Sequence, residues 1–201
     1  MAITADQVKT LREKTGAGMM ECKAALTEAS GNMDDAVTIL RKRGLAQAAK
    51  RAGRSTSQGL VSSYIHMGGK IGVLVEINCE SDFVARTEGF QTLVKEVAMH
   101  IAAADPKFVR REDVPADAIE KEKSIYRAQF EDSGKPAPVI EKIVEGKIGS
   151  YFSQICLLDQ PSVRDPNVTI GQMVKESIAK TGENITVARF ARFKLGDSAA
   201  E

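Results

Sequence analysis

The stretch IGVLVEINCESDFVAR, residues 71–86, decides what kind of fold this chain adopts. Its first half alternates. Ile71, Val73, Val75, Ile77 and Cys79 fall on one face of a strand, and Gly72, Leu74, Glu76 and Asn78 on the other, because successive side chains of a strand point to opposite sides. One face is wholly apolar, so the strand covers a core. Cys79 continues that face and reads as a small buried hydrophobe rather than a nucleophile, since no His or other base stands near it in sequence. The strand must then end at Ser81-Asp82-Phe83-Val84. A tight turn would take Gly or Asn there; an acid and a large apolar ring stand instead. Two readings are open. In one, Ser81 or Asp82 caps the next turn while Phe83 and Val84 pack beneath the sheet. In the other, the ring is held out at a strand-to-helix junction for something else to receive.

Leu60 to Ile65 is a second strand, separated from the first by His66-Met67-Gly68-Gly69-Lys70, and the Gly pair marks a hairpin. Beyond Arg86 the period changes. Phe90, Val94, Val97, Ala98 and Ile101 share a helical face that Asp105-Pro106 ends. Another helix opens at Pro115, carries Ile119, Tyr126 and Phe130, and closes at Ser133-Gly134. Ile140, Ile143, Val144, Ile148, Tyr151 and Ile155 mark a longer one. Asp159 to Asn167 is a loop. Thr169-Ile170-Gly171-Gln172 is a capping box leading a helix to Gly182, and Ile185 to Leu195 is a late strand returning to the sheet. A hairpin, then helices, then a late strand is an α+β order with a small antiparallel sheet, not a βαβ series. There is no internal repeat.

The N-terminal segment is helical. Thr4-Ala5-Asp6-Gln7 is a capping box, with Val8 and Leu11 behind it and Thr15-Gly16-Ala17-Gly18 as the stop. Met19, Cys22, Leu26 and Ala29 form the stripe of a second helix, which Ser30-Gly31 ends. Asn32 caps a third, whose charges (Asp34 and Asp35 early, Arg41, Lys42 and Arg43 late) match the helix dipole; Gly44 terminates it. The result is a three-helix bundle with a basic connector over residues 1–54, followed by an α+β core over residues 55–201. Met20 lies about 100° around the helix from Met19. A core this small does not take both, so one of them faces outward as a soft, adaptable contact, unless both are half-buried.

Composition removes several function classes. Hydrophobic residues are 43% and charged residues 27%, the balance of a soluble globular chain. Net charge is +1, too little to draw in nucleic acid or an acidic membrane. Residues 1–54 carry 10 basic and 6 acidic side chains. The run from Arg41 to Arg54 lacks the interleaved aromatics of a nucleic-acid surface and reads as a solvated helical connector. Cys22, Cys79 and Cys156 are scattered, which suits a reducing cytoplasm rather than a disulfide framework. His66 and His100 are too far apart for an obvious metal site. No apolar run is long enough for a membrane span, and the chain opens on a helix start rather than a targeting segment. Gly16-Ala17-Gly18 lacks the third glycine of a dinucleotide fingerprint, and Gly69-Lys70, Gly134-Lys135 and Gly146-Lys147 are never followed by Ser or Thr, so there is no P-loop. An enzyme using Cys79 or Cys22, a binding module built on the bundle, and an RNA-binding connector are the remaining alternatives.

ITADQVKTLREKTGAGMMECKAAL (3–26) and EINCESDFVARTEGFQ (76–91) resemble the two signatures of bacterial elongation factor Ts, the guanine nucleotide exchange factor for elongation factor Tu. AMHIAAADPKFV (98–109), SGKP (133–136) and RFARFKLG (189–196) are similar to that family too, so the likeness spans nearly the whole chain. The resemblance implies a ubiquitin-associated-like bundle that docks on the GTPase's nucleotide domain through Lys9, Arg12, Met19 and Met20. It implies that Ser81, Asp82, Phe83 and Val84, where the family usually has Thr-Asp-Phe-Val, dislocate the partner's Mg²⁺, with the ring entering a pocket near switch II. The exchange factor then does no covalent chemistry and holds no cofactor; GDP, GTP and Mg²⁺ belong to the partner. Many family members carry two similar core subdomains. This chain has a single copy, which implies a homodimer in a 2:2 complex, with no direct nucleic-acid contact and no membrane contact.

Overall fold

The computed structural model describes residues 3–130 and 133–197. Its elements are α1 (Ala5–Thr15), α2 (Met19–Glu28), α3 (Met33–Arg51), β1 (Gln58–Ile65), β2 (Ile71–Cys79), α4 (Asp82–Ala85), α5 (Glu88–Ala104), α6 (Ala116–Ala128), α7 (Ala137–Ile155), α8 (Ile170–Thr181) and β3 (Ile185–Lys194). This is the expected α+β class. The strands form one sheet in the order β1-β2-β3. In the hairpin, His66 N–H donates to the Ile71 carbonyl at 2.9 Å, and Gly68 and Gly69 take φ of 87° and 69°, conformations that cost glycine nothing. β3 runs antiparallel to β2: Leu195 N–H donates to the Lys70 carbonyl, and further in Arg189 pairs with Glu76 at 2.8 Å.

Contacts divide the chain into two compact units, each discontinuous in sequence. The first is Met1–Leu60 with Ile77–Leu93 and Met173–Thr186; the second is Val61–Glu76 with Val94–Gln172 and Val187–Glu201.

In the first unit, Val8, Leu11, Cys22, Ala25, Leu26, Ala36 and Leu40 make the core of the α1–α3 bundle. The caps stand where the sequence put them. Thr4 Oγ1 accepts from Gln7 N–H while the Gln7 side chain accepts from Thr4 N–H. Asn32 Oδ1 accepts from the N–H groups of Asp34 and Asp35. α3 departs from expectation. It does not stop at Gly44 but runs on to Arg51. A Cβ at Gly44 would stand 2.9 Å from the Ala179 Cβ, so this glycine admits the close approach of α8 instead of ending a helix. The basic run is therefore mostly helix, anchored by buried Ala48.

In the second unit, Phe108 bridges Cys156 and Pro161 bridges Thr169, which ties down the segments around α7. Arg192 donates through Nε and Nη2 to the Ala102 carbonyl, both at 3.2 Å. That is a cationic cap on the last turn of α5, where carbonyls lack helical partners. His100 is buried. Its Nδ1 accepts from Val163 N–H at 3.3 Å and its Nε2 faces Gln160 Oε1 at 2.9 Å. Those roles require the neutral ring with its proton on Nε2. Burial lowers its pKa, partly opposed by Gln160.

Candidate functional site

β2 ends at Cys79 and the chain turns at once into α4, a single turn of four residues. Ser81 is its N-cap, accepting from Val84 N–H at 3.4 Å. Asp82 pairs with Arg86 at 2.8 Å. Thr87 Oγ1 donates to the Val84 carbonyl at 2.7 Å. Val84 and Ala85 are buried, whereas Phe83 is 80% exposed. Of the two readings of this motif, the structure takes part of each. The hydroxyl caps and Val84 packs inward, but the ring projects into solvent.

The turn is anchored from two sides. Glu183, between α8 and β3, accepts from Ser81 N–H at 3.0 Å and from Ser81 Oγ–H at 2.6 Å. Cys79 Sγ donates to the Ser81 carbonyl at 3.1 Å. Burial, and next the Glu183 charge, raise the Cys79 pKa, so the thiol keeps the proton it donates. Asn184 N–H donates to Glu80 at 2.6 Å, and Asn184 Nδ2 donates to the carbonyls of Arg54 at 2.8 Å and Ala52 at 3.4 Å. These partners lie in the first unit.

Lys9 and Arg12 are exposed one turn apart on α1. Met19 and Met20 are exposed by 61% and 77%. The expectation that Met19 joins the apolar stripe is corrected here. α2 begins at Met19, and its Cβ tilts toward the helix N-terminus, off the end of the bundle; the buried stripe starts at Cys22. The structure thus places all four bundle residues at the surface of the unit that also carries Phe83. It does not place them in the Phe83 turn itself. Sequence reasoning passed over Glu80, Glu183 and Asn184. The available signal was two adjacent polar residues, Glu183-Asn184, wedged between a helix stop and a strand start with no local role.

The site is a projection, not a cleft. It offers a ring, one ion pair and capped backbone, and the Ser81 hydroxyl that meets the Glu183 carboxylate is engaged as the cap of the turn. Cys22, Cys79 and Cys156 are free and buried, and burial pushes Cys156 up to about 11; the thiol-enzyme alternative rested on Cys79 or Cys22, and neither sulfur is at the surface. Among the described residues, no three His, Cys, Asp or Glu side chains gather as a metal site, and no helix is long and apolar enough to cross a membrane.

The family model described as elongation factor TS matches residues 2–197. The elongation factor Ts of Koribacter versatilis (strain Ellin345) is 62% identical over 197 residues, which cover 98% of this chain and 90% of that protein. The elongation factor Ts of Fervidobacterium nodosum (strain ATCC 35602 / DSM 5306 / Rt17-B1) is 60% identical over 197 residues, covering 98% of this chain and 100% of that protein.

Proposed function

The chain belongs to the elongation factor Ts family, and from that premise we propose that it works in translation elongation as the guanine nucleotide exchange factor of elongation factor Tu, with Phe83 as the wedge that loosens the nucleotide. The observation that carries the wedge is the 80% exposed ring on a turn whose neighbours Val84 and Ala85 are buried. An aromatic ring on a rigid mount is the kind of anchor that dominates binding to a pocketed partner.

The mechanism is linkage. Nucleotide and exchange factor favour different conformations of the GTPase, so each weakens the other's binding by the same factor. Entry of Phe83 near switch II shifts the groups that hold Mg²⁺. Mg²⁺ neutralises phosphate charge, so its dislocation removes much of the hold on GDP. Ser81 keeps the hydroxyl that the family's usual Thr supplies. Asp82 steadies the turn through Arg86. Lys9, Arg12, Met19 and Met20 dock the bundle on the nucleotide domain. On this reading the protein is cytoplasmic, performs no covalent step, holds no cofactor, and touches neither nucleic acid nor membrane.

The same reading includes a homodimer in a 2:2 complex. In the second unit, Val61 and Ile65 of β1, Leu74 of β2 and Phe193 of β3 are all exposed. The charged pair Glu76–Arg189 beside them neutralises itself. A second copy of this face would meet it with apolar surface and no unbalanced charge, which supports it as the dimer surface.

The test is release of a fluorescent GDP from purified elongation factor Tu. Wild-type protein accelerates release and Phe83→Ala loses most of the acceleration. Absence of acceleration by wild type overturns the exchange function, and equal acceleration by both proteins overturns the wedge.

A further inference from the structure

A helix of one turn cannot hold its own shape, because nucleation fixes several residues for a single hydrogen bond. α4 is held by the segment between α8 and β3. The Ser81 hydroxyl has one proton to give. It goes to Glu183 at 2.6 Å, which leaves the oxygen's lone pairs toward Val84 N–H. The same carboxylate takes Ser81 N–H at 3.0 Å. Glu80 answers from the opposite side by accepting Asn184 N–H at 2.6 Å. Two adjacent pairs, Glu80-Ser81 and Glu183-Asn184, therefore clamp each other, each through a carboxylate and a backbone N–H. Bonds to an ionised acceptor are the strong ones. Ser81 is the cap from which Phe83 departs, so the direction of the ring is fixed at Glu183.

We infer that Glu183 is a positioning residue for nucleotide exchange: it holds the Phe83 turn rigid, so that strain on insertion is taken up by the partner and not by the turn. This rests on the wedge reading above. A ligand shifts an equilibrium only by the difference in its interaction with the two states. A ring on a yielding turn relaxes against both states alike and loses that difference. Glu183→Gln keeps the shape but offers one acceptor oxygen and one amide donor where two donors converge. It should lower the maximal rate of GDP release at saturating factor more than it raises the concentration needed for half-maximal effect.

The experiment is a double-mutant cycle on that maximal rate, using the full chain and elongation factor Tu, with Glu183→Gln, Phe83→Ala and both together. Loss of a charge-assisted hydrogen bond corresponds to a rate lower by about tenfold in the Phe83 background. In the Phe83→Ala background the same change should cost about twofold or less, because there is no ring left to aim. A merely structural Glu183 would cost the same factor in both backgrounds, and that result overturns the inference, as does an undiminished rate for Glu183→Gln alone. Phe83→Ala releasing GDP at the wild-type rate overturns the wedge reading and the positioning role with it. Slow release by Phe83→Ala with multiplicative losses overturns the positioning role only. Thermal melting of each variant establishes folding. If Glu183→Gln does not fold, Glu183→Asp, which keeps the charge but draws the carboxylate back from Ser81, carries the same cycle with the same outcomes.

Discussion

Truncating Phe83 to Ala should separate stability from function, and the structure sets the size of both effects. A phenylalanine carries roughly 200 Å² of surface. With 80% of Phe83 already in water, folding gains little from the ring, and Phe83→Ala should change unfolding free energy by no more than about 0.5 kcal/mol. Phe90, fully buried in α5, is the control: Phe90→Ala should cost about 3–5 kcal/mol. A pocket that closed over the exposed part of Phe83 would remove about 160 Å² from water, worth about 4 kcal/mol at 25 cal/mol per Å². Alanine keeps part of this, so the loss on truncation is about 2–3 kcal/mol, or roughly 30- to 150-fold in the acceleration of GDP release. Urea unfolding and stopped-flow release of fluorescent GDP measure the two quantities on the same samples. A large stability loss with unchanged release would refute the reasoning outright, because it would return the ring to the core.

Stability should fall with acid through His100. Its folded pKa is lowered by burial, so below about 6.5, the ordinary imidazole value, the unfolded chain binds the proton first. The loss begins there, has a slope of up to about 1.4 kcal/mol per pH unit, and ends at the folded pKa; urea midpoints across this range should show it, and His100→Gln should flatten it. Gly59 has φ of 143° and an added Cβ would lie 2.2 Å from the Ile77 carbonyl oxygen, so Gly59→Ala should destabilise by about 3 kcal/mol or more in the same assay. Leu74→Glu puts like charges face to face across the proposed dimer; sedimentation should find a wild-type dimer and a folded monomeric variant, and a monomeric wild type would remove the dimer.

What was legible in the sequence was local. Thr4, Asn32 and Thr169 each serve a cap within three residues, and each cap forms. The alternation of β2 is likewise a property of the strand alone. What failed depended on residues distant in the chain. Gly44 looks like a helix stop because nothing nearby shows that Ala179 occupies the space its side chain would need. The exposure of Phe83 had no local answer either. A single turn can put Phe83 or Val84 inward, and the residue that grips its cap, Glu183, stands 102 positions away in the chain. The polar residues crowded around one ring at a strand-to-helix junction raised the outward reading and the family resemblance favoured it, but neither supplied the physical cause.

That cause also bounds what the ring can do. Rolling α4 by one position, about 100°, would bring Phe83 toward the interior and Val84 out, and would bury the larger group. The clamp at Glu80, Ser81, Glu183 and Asn184 opposes the roll, so the ring stays exposed in the free protein, and a partner that covered it would gain about 4 kcal/mol of apolar burial. On the proposed reading this is the free energy the ring brings to the partner. Linkage allows it to weaken nucleotide binding by no more than the same amount, about a thousandfold. Any coupling beyond that must come from other contacts, and Lys9, Arg12, Met19 and Met20 are the exposed candidates. Asn184 then matters for a second reason. It bonds to the carbonyls of Ala52 and Arg54 just beyond α3, next to the Glu183 that holds the wedge, so the bundle and the ring share one polar node. Neutralising the bundle contacts and removing the ring should therefore lower the coupling by more together than the ring's own thousandfold limit allows.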